Sequence, residues 1–384
     1  MAYQQDSLDI NSSWIPSNEQ DASRSSKWIA LLGQRDQPTD GVEDYCKHLG
    51  QALAKCGLSL TLVRVPWAEC GWLGAIRRVW KESAGWKGSW VLMQYTALSW
   101  SQRGFPLGAV AVLCVLNLRG VRCAVVFHEF KRQVVPGRWI DRVRGLCQDV
   151  VIRRLYHNAA KALFTVPVEI VTWLPLDDCK ASFIPIGANI PERLNPRLPA
   201  PPEREKTVII FGVTGGQNMG AEIETIIAIM RDARRSLSGI RLVVLGRGSS
   251  DAEKLLAPAL RESSMEVVAK GILPAEKIAC ELESADAFLF VRGAITTQRG
   301  SAIASIACGL PIVGYQDGQI NHPLNEAGVE WAPLGDTEAL ARGLVRVLSD
   351  RHRWIELHCR NLRVQQKYLS WSRIAQRYLT LLSE

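Results

Sequence analysis

The sequence predicts an α/β protein made of two Rossmann-like doubly wound domains facing a cleft. Apolar, β-branched runs recur between helical patterns, which is the order of a parallel sheet covered on both faces. The alternation halts once, at Pro185–Lys206, where six prolines exclude both a helix and a central strand, and then resumes. A chain of 384 residues is also too long for one ordinary α/β core and suits two domains of roughly 150–180 residues each.

In the first half, Lys27–Gly33 (KWIALLG) reads as a strand, and the following loop contains Asp40-Gly41. A helical pattern runs from Val42 to Cys56, stopped by Gly57. Leu58–Val65 and Trp90–Tyr95 are the next strands. Gly104–Leu118 is charge-free between Arg103 and Arg119; at 15 residues it is shorter than the ~20 of a membrane span, so Leu107–Leu118 is expected to be a buried helix. Val121–Phe127 is a strand ending at His128-Glu129-Phe130.

The second half repeats the scheme with strands at Thr207–Phe211, Ile240–Leu245, Glu266–Ala269, Ala287–Val291 and Pro311–Tyr315. Arg373–Leu382 has a helical pattern that could pack back on the first domain. The expected division is a disordered leader over 1–26, a first domain over 27–184, a linker over 185–206, a second domain over 207–362 and a returning helix over 363–384.

Hydrophobic content of 47% and charged content of 22% are globular values. The net charge of +8 is uneven: residues 1–190 carry 22 Lys and Arg against 16 Asp and Glu. A basic first half suits phosphorylated substrates, an anionic membrane surface or nucleic acid, although no basic-aromatic nucleic-acid module is present. Ten scattered cysteines, with no C-x-x-C, read as reduced and mostly buried thiols of a cytoplasmic protein. The polar leader lacks the features of a signal peptide.

The most informative segment is Asp286–Tyr315 (DAFLFVRGAITTQRGSAIASIACGLPIVGY), a strand–loop–helix–strand unit. Gly300-Ser301 lies where the loop becomes the helix, so unpaired N–H groups and the helix dipole suit an anion such as phosphate. Arg292 and Arg299 bracket it with forked donors, or they belong to a solvated loop. Gly41 permits close approach of a ligand or simply starts a helix. His128, at a strand's carboxyl end, faces the cleft as a hydroxyl partner or is a satisfied structural histidine. Gln94-Tyr95 ends another strand in the same way and is a candidate acceptor contact. Gly212, Gly215 and Gly216 permit approach to a diphosphate or form a plain loop. Gly246-Arg247-Gly248 is a turn after a strand, and Lys270-Gly271 precedes another helix.

The Asp286–Tyr315 segment resembles the donor-sugar loop of family 4 glycosyltransferases, which use the GT-B fold; GxPIV after an Ala/Cys-rich helix, here within Ile306–Val313, is a frequent family feature. The family's two glutamates are replaced here by Thr296 and Ala304, and the Arg and Lys of its glycine loop by Val213 and Met219. The resemblance implies a nucleotide-sugar donor on the second domain, held through Gly41, Gly212, Gly215, Gly216, Arg247, Lys270, Gly271, Arg292, Thr296, Arg299, Gly300 and Ser301. It implies a carbohydrate or lipid-linked acceptor near Gln94 and Tyr95, and His128 beside the transferred sugar. Transfer would be retaining, with no metal and no cofactor beyond the nucleotide-sugar substrate. The alternatives are a non-catalytic homologue that binds nucleotide-sugar or acts as a scaffold, and a nucleotide-sugar epimerase.

Two features stand outside that scheme. Arg138–His157 is basic with Ile140, Val143, Cys147 and Val150 on one helical face; it suits peripheral contact with an anionic membrane, or a helix packed on its sheet. Six tryptophans crowd between Trp67 and Trp100 and could stack on sugars, anchor at an interface or fill the core.

Overall fold

The computed structural model describes residues 27–36, 39–132, 139–175, 178–193, 195–201, 203–214, 219–318 and 320–383. Its first half contains β1 (Lys27–Leu32), α1 (Gly41–Ala54), β2 (Ser59–Arg64), α2 (Trp67–Glu82), β3 (Trp90–Tyr95), α3 (Leu107–Leu118), β4 (Arg122–Phe127), α4 (Trp139–Asn158), β5 (Lys161–Phe164) and β6 (Ala181–Phe183). The strands pair in parallel in the order β2-β1-β3-β4-β5-β6. Local chemistry sets the key helix: the Asp40 carboxylate caps α1 by accepting the N–H groups of Val42 and Glu43, each at 3.0 Å. Tyr45, Cys46, Leu49 and Leu53 then bury one face of α1.

The second half contains β7 (Lys206–Phe211), α5 (Met219–Ser236), β8 (Ile240–Leu245), α6 (Ser249–Arg261), β9 (Val267–Gly271), α7 (Ala275–Ser284), β10 (Ala287–Ala294), α8 (Gly300–Ala307), β11 (Ile312–Gln316), β12 (Val329–Pro333), α9 (Thr337–Ser349), α10 (Arg351–Val364) and α11 (Trp371–Ser383). Its parallel sheet has the order β12-β11-β10-β7-β8-β9. Each sheet therefore reverses its winding once, between β1 and β3 and between β7 and β10. Ligands of such sheets gather at the carboxyl ends of the strands beside the reversal.

The chain crosses between the domains twice, at Ile184–Glu205 and before α11. The two crossings touch: the Trp371 indole N–H donates to Ala188 O at 2.7 Å. Helix α11 belongs to the first domain's core, with Trp371, Ile374 and Tyr378 packed among Tyr45, Leu49 and Leu92. The Tyr45 and Tyr378 hydroxyls bond at 2.9 Å, and Trp90 donates to Leu382 O at 2.7 Å.

Several expectations need correction. Helix α3 is half-buried, not buried: Leu107, Cys114 and Leu118 are exposed while Ala109, Val112, Leu113 and Leu116 face the core. Only Cys46, Cys123 and Cys308 of the cysteines are buried, and six are exposed. Strands β5, β6 and β12 were not anticipated. The crowded tryptophans mostly fill the core, with Trp67, Trp86, Trp90 and Trp100 buried and Trp72 stacked on Trp67 at 5.2 Å. The expected leader, 1–26, lies outside the described residues.

Candidate functional site

A cavity of about 700 Å³ opens between the domains at the carboxyl ends of β1, β3 and β4, with Gln298 and Gly300 of the second domain on its opposite wall. That volume suits one sugar-sized ligand with room for a second group. Gly41 and Gly300 line the cavity, one from each domain. A Cβ on Gly41 or on Gly300 would meet no protein atom within 4 Å, so at both positions the space beyond the backbone is open to a ligand.

The wall from the first domain carries the titratable groups. His128 Nε2 lies 2.8 Å from Gln94 Oε1, and the Gln94 amide nitrogen donates to Leu92 O at 3.2 Å. The amide orientation thus makes Nε2 the protonated ring nitrogen and leaves Nδ1 as an acceptor. Burial pushes the imidazole down to about 4, so it is neutral at ordinary pH. Beside it, Glu129 lines the cavity and holds Ala97 N–H through Oε2 at 2.7 Å. Burial raises the Glu129 carboxyl above its ordinary value, opposed by the bond from Ala97. Below, Arg64 joins the α1 cap to the loop after β1, donating to Gly33 O at 2.9 Å, to Asp40 at 3.1 Å and to Glu43.

The second-domain wall is built around β10. Its pairing with β11 slips between Phe290 and Ala294, a bulge that re-aims the residues between them. Arg292 emerges there and donates to Phe211 O at 3.1 Å and to Ser301 Oγ at 3.2 Å. Its guanidinium stands beside Gly212, whose φ of +81° requires glycine. Burial lowers the Arg292 pKa, opposed by the charge of Glu222, a buried carboxylate that accepts Thr214 N–H at 2.9 Å. Arg299 is exposed at the N-cap of α8, and both guanidinium groups lie over the Phe290 ring, Arg292 at 5.4 Å and Arg299 at 5.9 Å. Within α8 the N–H groups of Gly300 and Ser301 precede the first ones bonded inside the helix, those of Ala302 and Ile303 to Arg299 O, and so have no intrahelical acceptor.

The structure sorts the expected residues into groups. Gly41, Gln94, His128 and Gly300 line the cavity. Gly212, Arg292 and Ser301 cluster at the β7/β10 reversal, with Arg299 above them. Arg247 reaches across the cleft to Thr39 Oγ1 at 3.4 Å and Asp36 at 4.0 Å. Thr296 is exposed and its hydroxyl accepts Gln298 N–H at 3.4 Å, whereas Ala304 is buried. Gly215 and Gly216 lie outside the described residues.

Tyr95 is not an acceptor contact. It is fully buried in the core with Phe127 and Met93, because successive strand residues point to opposite faces and Gln94 takes the one that meets the cavity. Lys270 turns to Glu281 of α7 at 3.3 Å, since the β8–β9 register skips it, and both backbone groups of Gly271 are taken by Gly246 and Ser249. Sequence reasoning missed Gln298 and Glu129. Gln298 bridges the domains, donating to His128 O at 2.6 Å and Thr165 Oγ1 at 2.8 Å, while Thr297 Oγ1 donates to Thr165 O at 2.8 Å. Glu129 carried one signal, its place next to a strand-end histidine; Gln298 carried none.

Comparisons with known proteins agree with this architecture. Residues 206–350 match the family described as glycosyl transferases group 1. No curated protein sequence matches the chain. Among solved structures, HepE of Anabaena in complex with UDP and glucose superposes with a TM-score of 0.64 at 13% identity, covering 93% of this chain and 99% of that one. Sucrose-phosphate synthase of Thermosynechococcus elongatus gives 0.64 at 18% identity, covering 93% and 98%. A putative UDP-N-acetylglucosamine 2-epimerase of Listeria monocytogenes gives 0.60 at 11% identity, covering 94% and 96%. The chain is a GT-B-fold protein whose second domain matches the glycosyl transferases group 1 family.

Proposed function

We propose that this protein is a glycosyltransferase that moves a sugar from a nucleotide-diphosphate donor on the second domain to an acceptor on the first. The observation that carries the reading is the cavity at the first sheet's reversal, with neutral His128 and the carboxyl of Glu129 on one wall and Gly300, which opens α8, on the other. The N–H groups of Gly300 and Ser301, with Arg299, would offset charge on the departing diphosphate as the sugar–phosphate bond breaks. Arg292 acts indirectly, fixing Ser301 and the backbone before Gly212. His128 Nδ1 would accept from a sugar hydroxyl. Glu129, its carboxyl raised by burial, would take the proton of the attacking acceptor hydroxyl. Retention of configuration and independence of metal are what the family resemblance would imply for this transfer.

A second reading, a non-catalytic binder, draws on Thr296 and Ala304, neither of which offers a carboxylate to sugar hydroxyls. Calorimetry with a panel of UDP-, GDP- and ADP-sugars, followed by turnover assays with and without EDTA, decides among the readings. A bound donor and a transferred or hydrolysed sugar, with the product's anomeric form read by NMR, support the transferase. Binding without turnover supports the binder, and isomerised sugar released without an acceptor supports an epimerase. Absence of binding to every donor in the panel refutes the proposal.

A further inference from the structure

Helix α4 has two apolar faces, and only one is used by the fold. Val151, Ile152, Leu155 and Tyr156 pack inward against β5 and the first domain's core. On the other side Trp139 is 75% exposed, Val143 44%, Leu146 60% and Val150 55%. Their spacing of four, three and four residues sets them in one stripe, within roughly 60° of one another around the axis. An exposed row of this length on a surface helix is unexpected for a face that meets only water.

The charges around the stripe have one sign. Arg142, Arg153 and Arg154 are exposed beside it. The helix's acidic residues are partly withdrawn and paired: Asp141 accepts from Arg144 at 2.6 Å, and Asp149 lies 3.8 Å from Arg132. Leu107, at the start of α3, is exposed as well, and the loop before it is tied to α4 through Arg144, which packs on Gly104 and donates to Arg103 O at 2.7 Å. Among the described residues no helix is long and apolar enough to cross a membrane. An apolar stripe flanked by long cationic side chains, which can reach back to phosphates, is the pattern of a helix lying in a lipid interface.

We infer that this face of α4, with the start of α3, docks the protein on an anionic membrane surface. The charge complementarity selects anionic lipid over a second copy of this chain, which would set like-charged arginines against one another. The helix starts on the side of the sheet where β4 delivers His128 to the cavity, so docking would hold the acceptor side of the cleft close to the lipid. The inference deepens the proposed function, in that it points to a lipid-linked acceptor, but its test needs neither donor nor turnover.

The test is co-sedimentation of the full chain with vesicles of phosphatidylcholine containing a third phosphatidylglycerol, against vesicles of phosphatidylcholine alone. Binding should require the anionic lipid and weaken at high salt. Trp139→Ser with Leu146→Ser, and separately Arg142→Glu with Arg153→Glu, should each lower it on the order of tenfold or more, with unchanged circular dichroism and unchanged donor calorimetry. The inference is overturned if the parent chain ignores anionic vesicles, or if either double variant binds them as well as the parent. It is overturned equally if sedimentation velocity shows the parent to be a dimer that the Trp139→Ser, Leu146→Ser variant dissociates.

Discussion

The neutral imidazole of His128 is the point at which the proposed chemistry is most directly measurable. An unperturbed histidine titrates near pH 6.5, whereas burial pushes His128 down to about 4. One edge of the ring faces the cavity, so partial wetting trims that effect and its free-energy equivalent. At about 1.4 kcal/mol per tenfold, that difference disfavours the imidazolium in the fold by on the order of 2 kcal/mol. The sign follows from linkage. Between the folded and unfolded values the unfolded chain binds a proton that the native state refuses, so the contribution is fully present above about pH 6.5 and is lost as pH falls toward the folded value. Two domains make a single unfolding free energy ill-defined, so the cleaner assay is NMR titration of the imidazole carbons, with the resonance of His128 assigned by His128→Gln. Gln94→Glu is the companion: a carboxylate 2.8 Å from Nε2 favours the charged ring and should raise its pKa by roughly one unit or more. A parent value at or above 6.5 would refute the buried, neutral acceptor assigned to this ring.

Other expectations concern single contacts. Arg299→Ala should weaken nucleotide-sugar affinity about tenfold in calorimetry while leaving the melting temperature nearly unchanged, because the side chain is exposed and its loss opens no cavity. Tyr95→Phe should leave acceptor kinetics unaltered and be neutral or stabilising by up to about 1 kcal/mol, since the Tyr95 hydroxyl is buried without a hydrogen-bond partner; a raised acceptor KM would return Tyr95 to the site. Glu129→Gln keeps the shape and the bond from Ala97, and should lower kcat on the order of a hundredfold and abolish the acidic limb of the pH–rate profile without changing donor affinity. Gln298→Ala removes two cross-domain bonds, worth together roughly 1–3 kcal/mol, and should expand the molecule in small-angle scattering and raise KM for both substrates.

Most of the sheet framework was legible because buried parallel strands are continuous apolar runs. KWIALL, WVLMQY, RCAVVF and AFLFV announce themselves, and the prolines of 185–202 mark the boundary between two such series. KALF, ASF and VEWAP did not, being short or broken by polar residues and proline. In the site, local signals were readable and phase was not. That β3 ends at the cleft followed from its pattern, but whether Gln94 or Tyr95 looks into it depends on which face of the sheet the helices cover. Lys270 misled because a one-residue slip between β8 and β9 is invisible in sequence. The α4 stripe named from sequence, Ile140 to Val150, shares Val143 and Val150 with the exposed one, yet periodicity alone could not say that a helix with two apolar faces would leave this one outside.

The cross-domain contacts give the site a mechanical logic beyond its list of groups. The segment Thr296–Gly300 is at once the lead-in to the anion-binding turn of α8 and the strap that bonds to Thr165 and to the backbone of His128. A phosphate drawn to the Gly300 N–H therefore acts on the same five-residue segment that positions the strand end carrying the imidazole. Arg247, anchored on Thr39 and Asp36, ties the β8 loop to the residue that precedes the α1 cap, so the far rim of the cleft is linked as well. On the other side the two chain crossings meet at Trp371 and Ala188, a contact that leaves little freedom for shear: a Cβ on Gly187 would come within 2.6 Å of the indole. Opening about that edge would keep this contact, whereas shear would break it. In the proposed transferase, closure would strengthen the straps and the anion contacts together and would exclude water from the cavity as the donor bond breaks. The cost of this coupling is that neither wall can be altered alone, which is why a change at Gln298, bonded to the first domain and two residues before the Gly300 N–H, is expected to register in the KM of both substrates.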